Sequence, residues 1–384
     1  MASRADLELA KRLLRAGVVD ESALRQGLSL QDDLFKQGKV VSLDRVLVAR
    51  GLIPREALTT LSVGDPVAKQ PFANYRLLRA VGEGGSSVVY EAIYKPNGAQ
   101  VAVKVLDAVQ SLRQDLLERF YEEARLLISL EHENVVAGYE VGSEHGLHFF
   151  SMDYIQGPTV LQMIERAGAI EPQTAIWVTV QLARALAHLH HKGLLHRDIK
   201  PGNVMIDATG RARLIDLGLA RRMERPEPAP DAGEAALTVG TVEYISPEQA
   251  RGRDDLDERT DVYSLGVTLY HMAVGDVPFH GETSYEVMAK HILTALDAMK
   301  VKTRRIPPAV HYAITKMMAK DREFRYRDCD QVVADLARFL PEGGPPPIVL
   351  PVSTEPSPPA GPAPKSPTLP PPRSRTGPRR RTGW

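Results

Sequence analysis

His196-Arg197-Asp198-Ile199-Lys200-Pro201-Gly202-Asn203 is the run on which the fold and the chemistry turn. Asp198 and Asn203 stand five residues apart, with Lys200 two after the aspartate. One short loop therefore carries a candidate proton acceptor, a charge stabiliser and a metal-ligating amide. Asp216-Leu217-Gly218 follows thirteen residues after Asn203. Upstream, Gly82-Glu83-Gly84-Gly85-Ser86-Ser87-Val88-Val89 lies between two stretches of strand-like alternation, Tyr75 to Val81 and Val88 to Tyr94. Glycine there lets backbone N–H groups approach phosphates that a Cβ would hold away. No Gly-Lys-Ser/Thr follows, so this is not a Walker A loop. A strand, not a helix, comes after the glycines, which excludes a dinucleotide-binding turn.

Composition bounds the rest. The chain has 384 residues and a formal net charge of +0, with 43% hydrophobic and 25% charged residues. That is long enough for two or three domains and ordinary for a soluble globular protein. Nothing global favours specific nucleic-acid or membrane binding. A single cysteine, Cys329, excludes an intramolecular disulfide and fits a reducing compartment. No uncharged apolar run approaches the ~18–20 residues of a transmembrane segment. Arg4, Asp6 and Glu8 are unlike a signal peptide. The expectation is a soluble cytoplasmic protein.

Three compositional regions follow one another. Residues 1–66 are rich in Leu, Ala, Arg and Asp, with a thirty-four-residue repeat: Leu9 to Gly17 then Val18 to Leu24, and Leu43 to Gly51 then Leu52 to Leu58. Each unit reads as a helix closed by glycine, an apolar pair, and a new helix started by Asp20 or Pro54. Two helical hairpins are expected. Residues 75–340 begin with strands, including Val101 to Leu106, Val135 to Val141 and Leu147 to Met152, and one helix over 112–130 with Leu112, Leu116, Phe120, Leu127 and Ile128 as its stripe. Helical periodicity dominates after Gly157. Residues 341–384 are Pro-rich with a basic end at Arg373, Arg375, Arg379, Arg380 and Arg381, a composition that cannot offset its ordering entropy. That tail is expected to be disordered, with a spacer role or an SH3-like, WW-like or acidic partner.

Taken in order, the motifs resemble those of bacterial-type, eukaryotic-like serine/threonine protein kinases over residues 75–340. The resemblance implies an α+β, bilobal protein-kinase-like fold, a small β-rich N-lobe and a larger helical C-lobe, with an all-α N-terminal module and a disordered tail. It implies ATP as substrate, Mg2+ as cofactor and Ser/Thr of proteins as acceptors. On it, Gly82, Glu83, Gly84, Gly85, Ser86, Ser87 and Val89 cover the phosphates, with Ser87 where the family has its third glycine. Lys104 grips phosphate and pairs with Glu123; the neighbouring Glu122 would point about 100° away. Met152, Asp153 and Ile155 form the back of the pocket and the hinge, the last two through backbone groups to adenine. Asp198 takes the hydroxyl proton, Lys200 offsets phosphoryl charge, and Asn203 and Asp216 bind the metal. Leu217 replaces the family's phenylalanine.

The resemblance extends to support and regulation. Glu248, closing Gly240 to Glu248, would pair with Arg325, and Asp261 would prop the catalytic loop. Thr241 would line the substrate site. Arg197 beside Asp198 is a cation that an activation-segment phosphate could neutralise. Thr238, the one hydroxyl between Gly218 and Gly240, is the expected autophosphorylation site. Lysine two after the catalytic aspartate tilts the resemblance to serine and threonine. Two other readings compete: a kinase-fold scaffold working through its N-terminal module or tail, and a small-molecule phosphotransferase. The first usually loses the lysine or an aspartate, and the second lacks a long segment ending in Ser-Pro-Glu. The 1–66 module is expected to dock a protein partner.

Overall fold

The computed structural model describes residues 3–15, 18–37, 39–54, 66–218, 220–222, 242–297 and 306–340. The 341–384 tail lies outside them. Three helices come first: α1 (Arg4–Arg15), α2 (Glu21–Lys36) and α3 (Leu43–Ala49). The repeat is visible in their core, where Leu13 and its counterpart Leu47 are both fully buried beside Val19 and Ile53. Gly51 adopts φ +68, and behind it Leu52 N donates to Leu47 O at 2.9 Å, as Val18 N does to Leu13 O at 3.0 Å. At Gly51 this is the bond that closes a helix through a left-handed residue. Asp20 caps α2, accepting from Ala23 N at 2.7 Å. The Asp6 carboxylate of α1 accepts from Leu43 N at 2.8 Å, satisfying an otherwise orphaned donor at the start of α3. The helix expected after Pro54 falls outside the described residues.

After a short helical turn, α4 (Pro66–Lys69), come β1 (Tyr75–Glu83), β2 (Ser87–Tyr94), β3 (Ala99–Leu106), α5 (Gln114–Ser129), β4 (Gly138–Glu144) and β5 (Leu147–Asp153). The strands form one antiparallel sheet in the order β1-β2-β3-β5-β4. Strand alternation sorts its residues. Val101, Val103, Val105 and Phe149 join one apolar cluster with Phe72 and Tyr75. Ala102, Leu106, Phe150 and Met152 join another, which holds α5 and runs on into the C-lobe. Lys104 shares the parity of Ala102 and Leu106, so it faces α5.

Two expectations shift. Ile128 is 40% exposed, because the buried face of α5 follows Phe120, Glu123, Ala124 and Leu127, and Leu112 precedes the helix. The strand expected from Val135 starts only at Gly138. Val135 and Val136 bond elsewhere: Val136 N donates to Leu214 O at 3.0 Å, and Leu214 N to Asn134 O at 2.9 Å.

The second lobe comprises α6 (Val160–Ala167), α7 (Pro172–His191), β6 (Leu194–Leu195), β7 (Val204–Ile206), β8 (Ala212–Leu214), β9 (Arg221–Arg222), α8 (Pro247–Ala250), α9 (Arg259–Val274), α10 (Ser284–Leu293), α11 (Pro308–Met317) and α12 (Cys329–Leu336). Helices α7 and α9 are buried around most of their circumference and are correspondingly central. Strands β7 and β8 form a hairpin, and β6 pairs with β9. Gly157 ends the interlobe connection where a Cβ would stand 1.8 Å from Ile206 O, so no other residue fits. No helix among the described residues is long and apolar enough to cross a membrane.

Candidate active site

The central loop is held from below. Asp261 of α9, fully buried, accepts from His196 N at 2.9 Å, Arg197 N at 2.8 Å and His190 Nε2 at 2.8 Å. Burial alone would raise its pKa, but His190, His196 and the loop N–H more than offset this, so Asp261 stays ionised. Arg197 takes φ +68, a left-handed turn that a non-glycine residue adopts only when its surroundings impose it. The two anchored N–H groups supply that constraint.

Above this anchor, Lys200 Nζ lies 2.7 Å from Asp198 Oδ2. Asn203 Nδ2 donates to Asp198 Oδ2 and to Asp198 O, each at 2.9 Å. With its amide N–H committed to the aspartate, Asn203 presents Oδ1 as its remaining group. Ile215 N donates to Asn203 O at 3.0 Å, which fixes Asp216 beside the loop. Gly218 N in turn donates to Asp216 Oδ1 at 2.8 Å.

The N-lobe meets this from the other side. Lys104 Nζ lies 2.6 Å from Glu123 Oε1, in side chains only 14% and 10% exposed. Glu122 is exposed, so α5 offers Glu123 and not its neighbour. A Cβ on Gly218 would stand 3.1 Å from Asp216 Oδ1 and 3.5 Å from Glu123 Oε2, so the three charged groups converge on one spot. Burial opposes the Lys104 charge, but the Glu123 and Asp216 carboxylates outweigh it and push the lysine pKa up. Burial likewise opposes ionisation of Asp216, and Lys104 with the Gly218 N–H brings its pKa down. The cleft thus holds a charged lysine facing an ionised aspartate.

The glycine turn is narrow: Gly84 N donates to Ser87 O at 2.8 Å, and Asp107 N to Ser86 O at 2.8 Å. Nothing among the described residues requires glycine there. A Cβ at Gly85 would meet nothing within 4 Å, one at Gly82 would meet Val89 Cβ at 3.8 Å, and one at Gly84 would meet Ser87 O at 3.5 Å and Ser87 Oγ at 3.9 Å, all ordinary contacts. The open space suits an outside group approaching the backbone, as a triphosphate would. Glu83 pairs with Val88 and Val89 with Lys104 across the strands, and Ser87 is buried. Met152 lies opposite Ala102. For a divalent cation, Asn203 Oδ1 and Asp216 are hard oxygen donors, and phosphate oxygens would complete the shell. No cluster of three or more metal-binding His, Cys, Asp or Glu side chains occurs among the described residues.

Glu248 and Arg325 meet in a fork, Nη1 to Oε1 at 2.6 Å and Nη2 to Oε2 at 2.9 Å. Thr238 and Thr241 lie outside the described residues. One arrangement has no sequence signal. The Asp153 side chain accepts from Ala137 N at 3.0 Å, from the Tyr139 hydroxyl, and from Arg213 Nη2 at 2.5 Å. It ties the end of β5 to β4 and to β8.

Comparison with known families matches residues 75–335 to the protein kinase domain. Among curated proteins, a probable serine/threonine-protein kinase of Clostridium perfringens is 35% identical over 265 residues, 69% of this chain and 38% of that protein. PrkC of Bacillus subtilis is 32% identical over 270 residues, 70% of this chain and 41% of its own. PknB of Mycobacterium tuberculosis is 34% identical over 276 residues, 71% and 44%. The alignments thus span about two fifths of the length of these curated relatives.

Proposed function

Given that the chain belongs to the protein kinase family, we propose that it is a serine/threonine protein kinase, transferring the γ-phosphate of ATP to hydroxyl groups of proteins. The observation that carries this reading is the Lys104–Glu123 pair at 2.6 Å, directed at Asp216 across a cleft whose far wall holds Asp198, Lys200 and Asn203. Phosphoryl transfer needs positioning and charge stabilisation more than covalent chemistry. Backbone N–H groups of residues 82–87 cradle the phosphates, and Val89 and Met152 enclose the base, whose edge bonds the Asp153 carbonyl and Ile155 amide. Lys104, kept charged and oriented by Glu123, fixes the α- and β-phosphates. Asp198 orients the acceptor hydroxyl and takes its proton, while Lys200 offsets charge on the transferred group. Asn203 Oδ1 and Asp216 would hold Mg2+, which when bound would neutralise charge on the phosphate oxygens.

Incubation of the full chain with labelled ATP and a generic protein substrate tests the reading. Label on serine and threonine is expected, falling by about 10²–10⁴ in Asp198→Asn. Protein left unlabelled by the unaltered chain would overturn it. Regulation follows the same logic. Phosphate on Thr238 would pair with Arg197 and order the segment around Thr241. Phosphate mapping of fully active enzyme is expected to find Thr238 modified, and an unmodified Thr238 would sink that role. For the 341–384 tail, an SH3-like, WW-like or acidic partner is the proposed ligand.

A further inference from the structure

The family match begins at residue 75, yet the core of α1–α3 is completed from within it. Val109, 1% exposed, is buried among Ala10, Leu13, Val19, Leu24, Leu43, Leu47 and Ile53, and Leu112 packs at its edge. Both residues belong to the link between β3 and α5. Beside them, Arg12 Nη2 of α1 lies 2.7 Å from Asp107 Oδ2.

Asp107 is a junction. Its backbone N–H donates to Ser86 O of the glycine turn at 2.8 Å. Its Oδ1 accepts from Val109 N at 2.8 Å and Gln110 N at 3.2 Å, capping the turn that leads into α5. One residue therefore joins the phosphate-covering loop, the approach to the Glu123 helix and Arg12. On the other side of the lobe the connection to β1 is also fixed. Gln70 Nε2 donates to Val67 O at 2.7 Å and Leu77 O at 2.8 Å, and Leu77 N donates to Gln70 Oε1 at 2.9 Å.

We propose that the N-terminal helices are an intramolecular brace for the nucleotide site: their core seats Val109 and Leu112, and Arg12 is a positioning residue that acts through Asp107 on the glycine turn and on Glu123. The proposal rests on the kinase reading above and assigns the 1–66 region a cis-acting role. The apolar seat supplies most of the attachment. The Arg12–Asp107 pair, with side chains 49% and 34% exposed, sets its registration, because an exposed ion pair adds little to stability. With the brace seated, α5 is held with Glu123 on Lys104. Released, the β3–α5 link loses its buried anchor and Asp107 loses one of its partners.

The test uses the full chain. In Val109→Asp, hydrogen exchange is expected to rise in residues 82–90 and 107–129 as well as in 4–53. The kcat/KM for ATP should fall about tenfold, the scale on which slight misplacement of reacting groups is felt, with KM for the protein substrate unchanged. Arg12→Glu should act in the same direction more weakly, and Arg12→Lys should behave as the unaltered chain. Rising exchange in 4–53 alone, with the glycine turn, α5 and kcat/KM unmoved, overturns the proposal. Should Val109→Asp not fold, Val109→Ala with Arg12→Glu takes its place, and unchanged α5 exchange in both is equally fatal. The exchange comparison needs no turnover. An inactive unaltered chain would therefore strike the kinase reading while the exchange data still judged the brace.

Discussion

Lys104 and Glu123 are each worth most because the other is present. Replacing Lys104 by methionine leaves a carboxylate that is only 10% exposed without its 2.6 Å partner. The expected cost is up to about 3 kcal/mol, less where Glu123 takes up a proton, together with loss of transfer activity. Denaturant unfolding and the transfer assay read the two effects separately. His291 gives a pH signature. It is fully buried, with Nδ1 2.9 Å from the Tyr263 hydroxyl and its ring 4.9 Å from that of Phe279. Burial, with the Lys320 ammonium nearby, pushes its pKa from 6.5 down to about 3. Below pH 6.5 the unfolded chain takes up a proton that the folded chain refuses until about pH 3, so folding stability falls as pH drops through that window. His291→Phe is expected to flatten that slope in denaturant titrations across the window. Slopes that match in both chains would remove His291 as the cause. At this scale the sequence is most legible where residues are contiguous. Asp198, Lys200 and Asn203 announce themselves, whereas Asp153 and Arg213, sixty residues apart, meet only through the fold.

Helices and strands repeat the contrast. The thirty-four-residue period is legible because Leu13 and Leu47 need the same burial and each, as the third-last residue of its helix, accepts the same closing bond. Gly51→Ala, forced into φ +68, is expected to cost about 1 kcal/mol, read as a lower midpoint for the N-terminal helices by exchange. Val135 and Val136 mislead because a β-branched pair has no way of showing whether its partner is β5 or β8. The fork between α8 and the turn before α12 was foreseeable in partners but not in depth. Arg325 is fully buried in its side chain and Glu248 6% exposed, with Thr260 Oγ1 also donating to Glu248 at 2.9 Å. Glu248→Gln should therefore destabilise by about 3–5 kcal/mol, and Glu248→Gln with Arg325→Met by less than the sum of the single changes. Additive losses in that cycle would mean the two do not act as a pair.

Among the described residues, the hydrogen bonds that Asn134, Val135, Val136 and Asp153 make to the second lobe cluster on β8 and the neighbouring α7, where Asn134 Nδ2 also donates to Gln181 Oε1 at 3.0 Å. Besides the chain passing through Ile155 and Gly157, Leu214 bonds Asn134 and Val136, and Arg213 bonds Asp153. A further bond runs from Arg213 Nη2 to Val135 O at 3.1 Å. A plate hung along one edge swings about that edge, and displacement grows with distance from it. Strand β8 lies outside the five-stranded sheet and meets it through Asp153 of β5 and the residues before β4; the glycine turn, between β1 and β2 at the opposite edge of that sheet, travels furthest when the cleft opens. Spin labels offer a measurement, since the one native cysteine, Cys329, is buried and will not compete. On adding a non-hydrolysable ATP analogue, a pair at Asn97 and Glu165 should change separation by several ångström. A pair at Glu133 and Thr209, beside the pivot, should hold still. On the proposed kinase reading, nucleotide exchange would be a matter of leverage, with β8 as the fulcrum and the glycine turn at the long end of the arm.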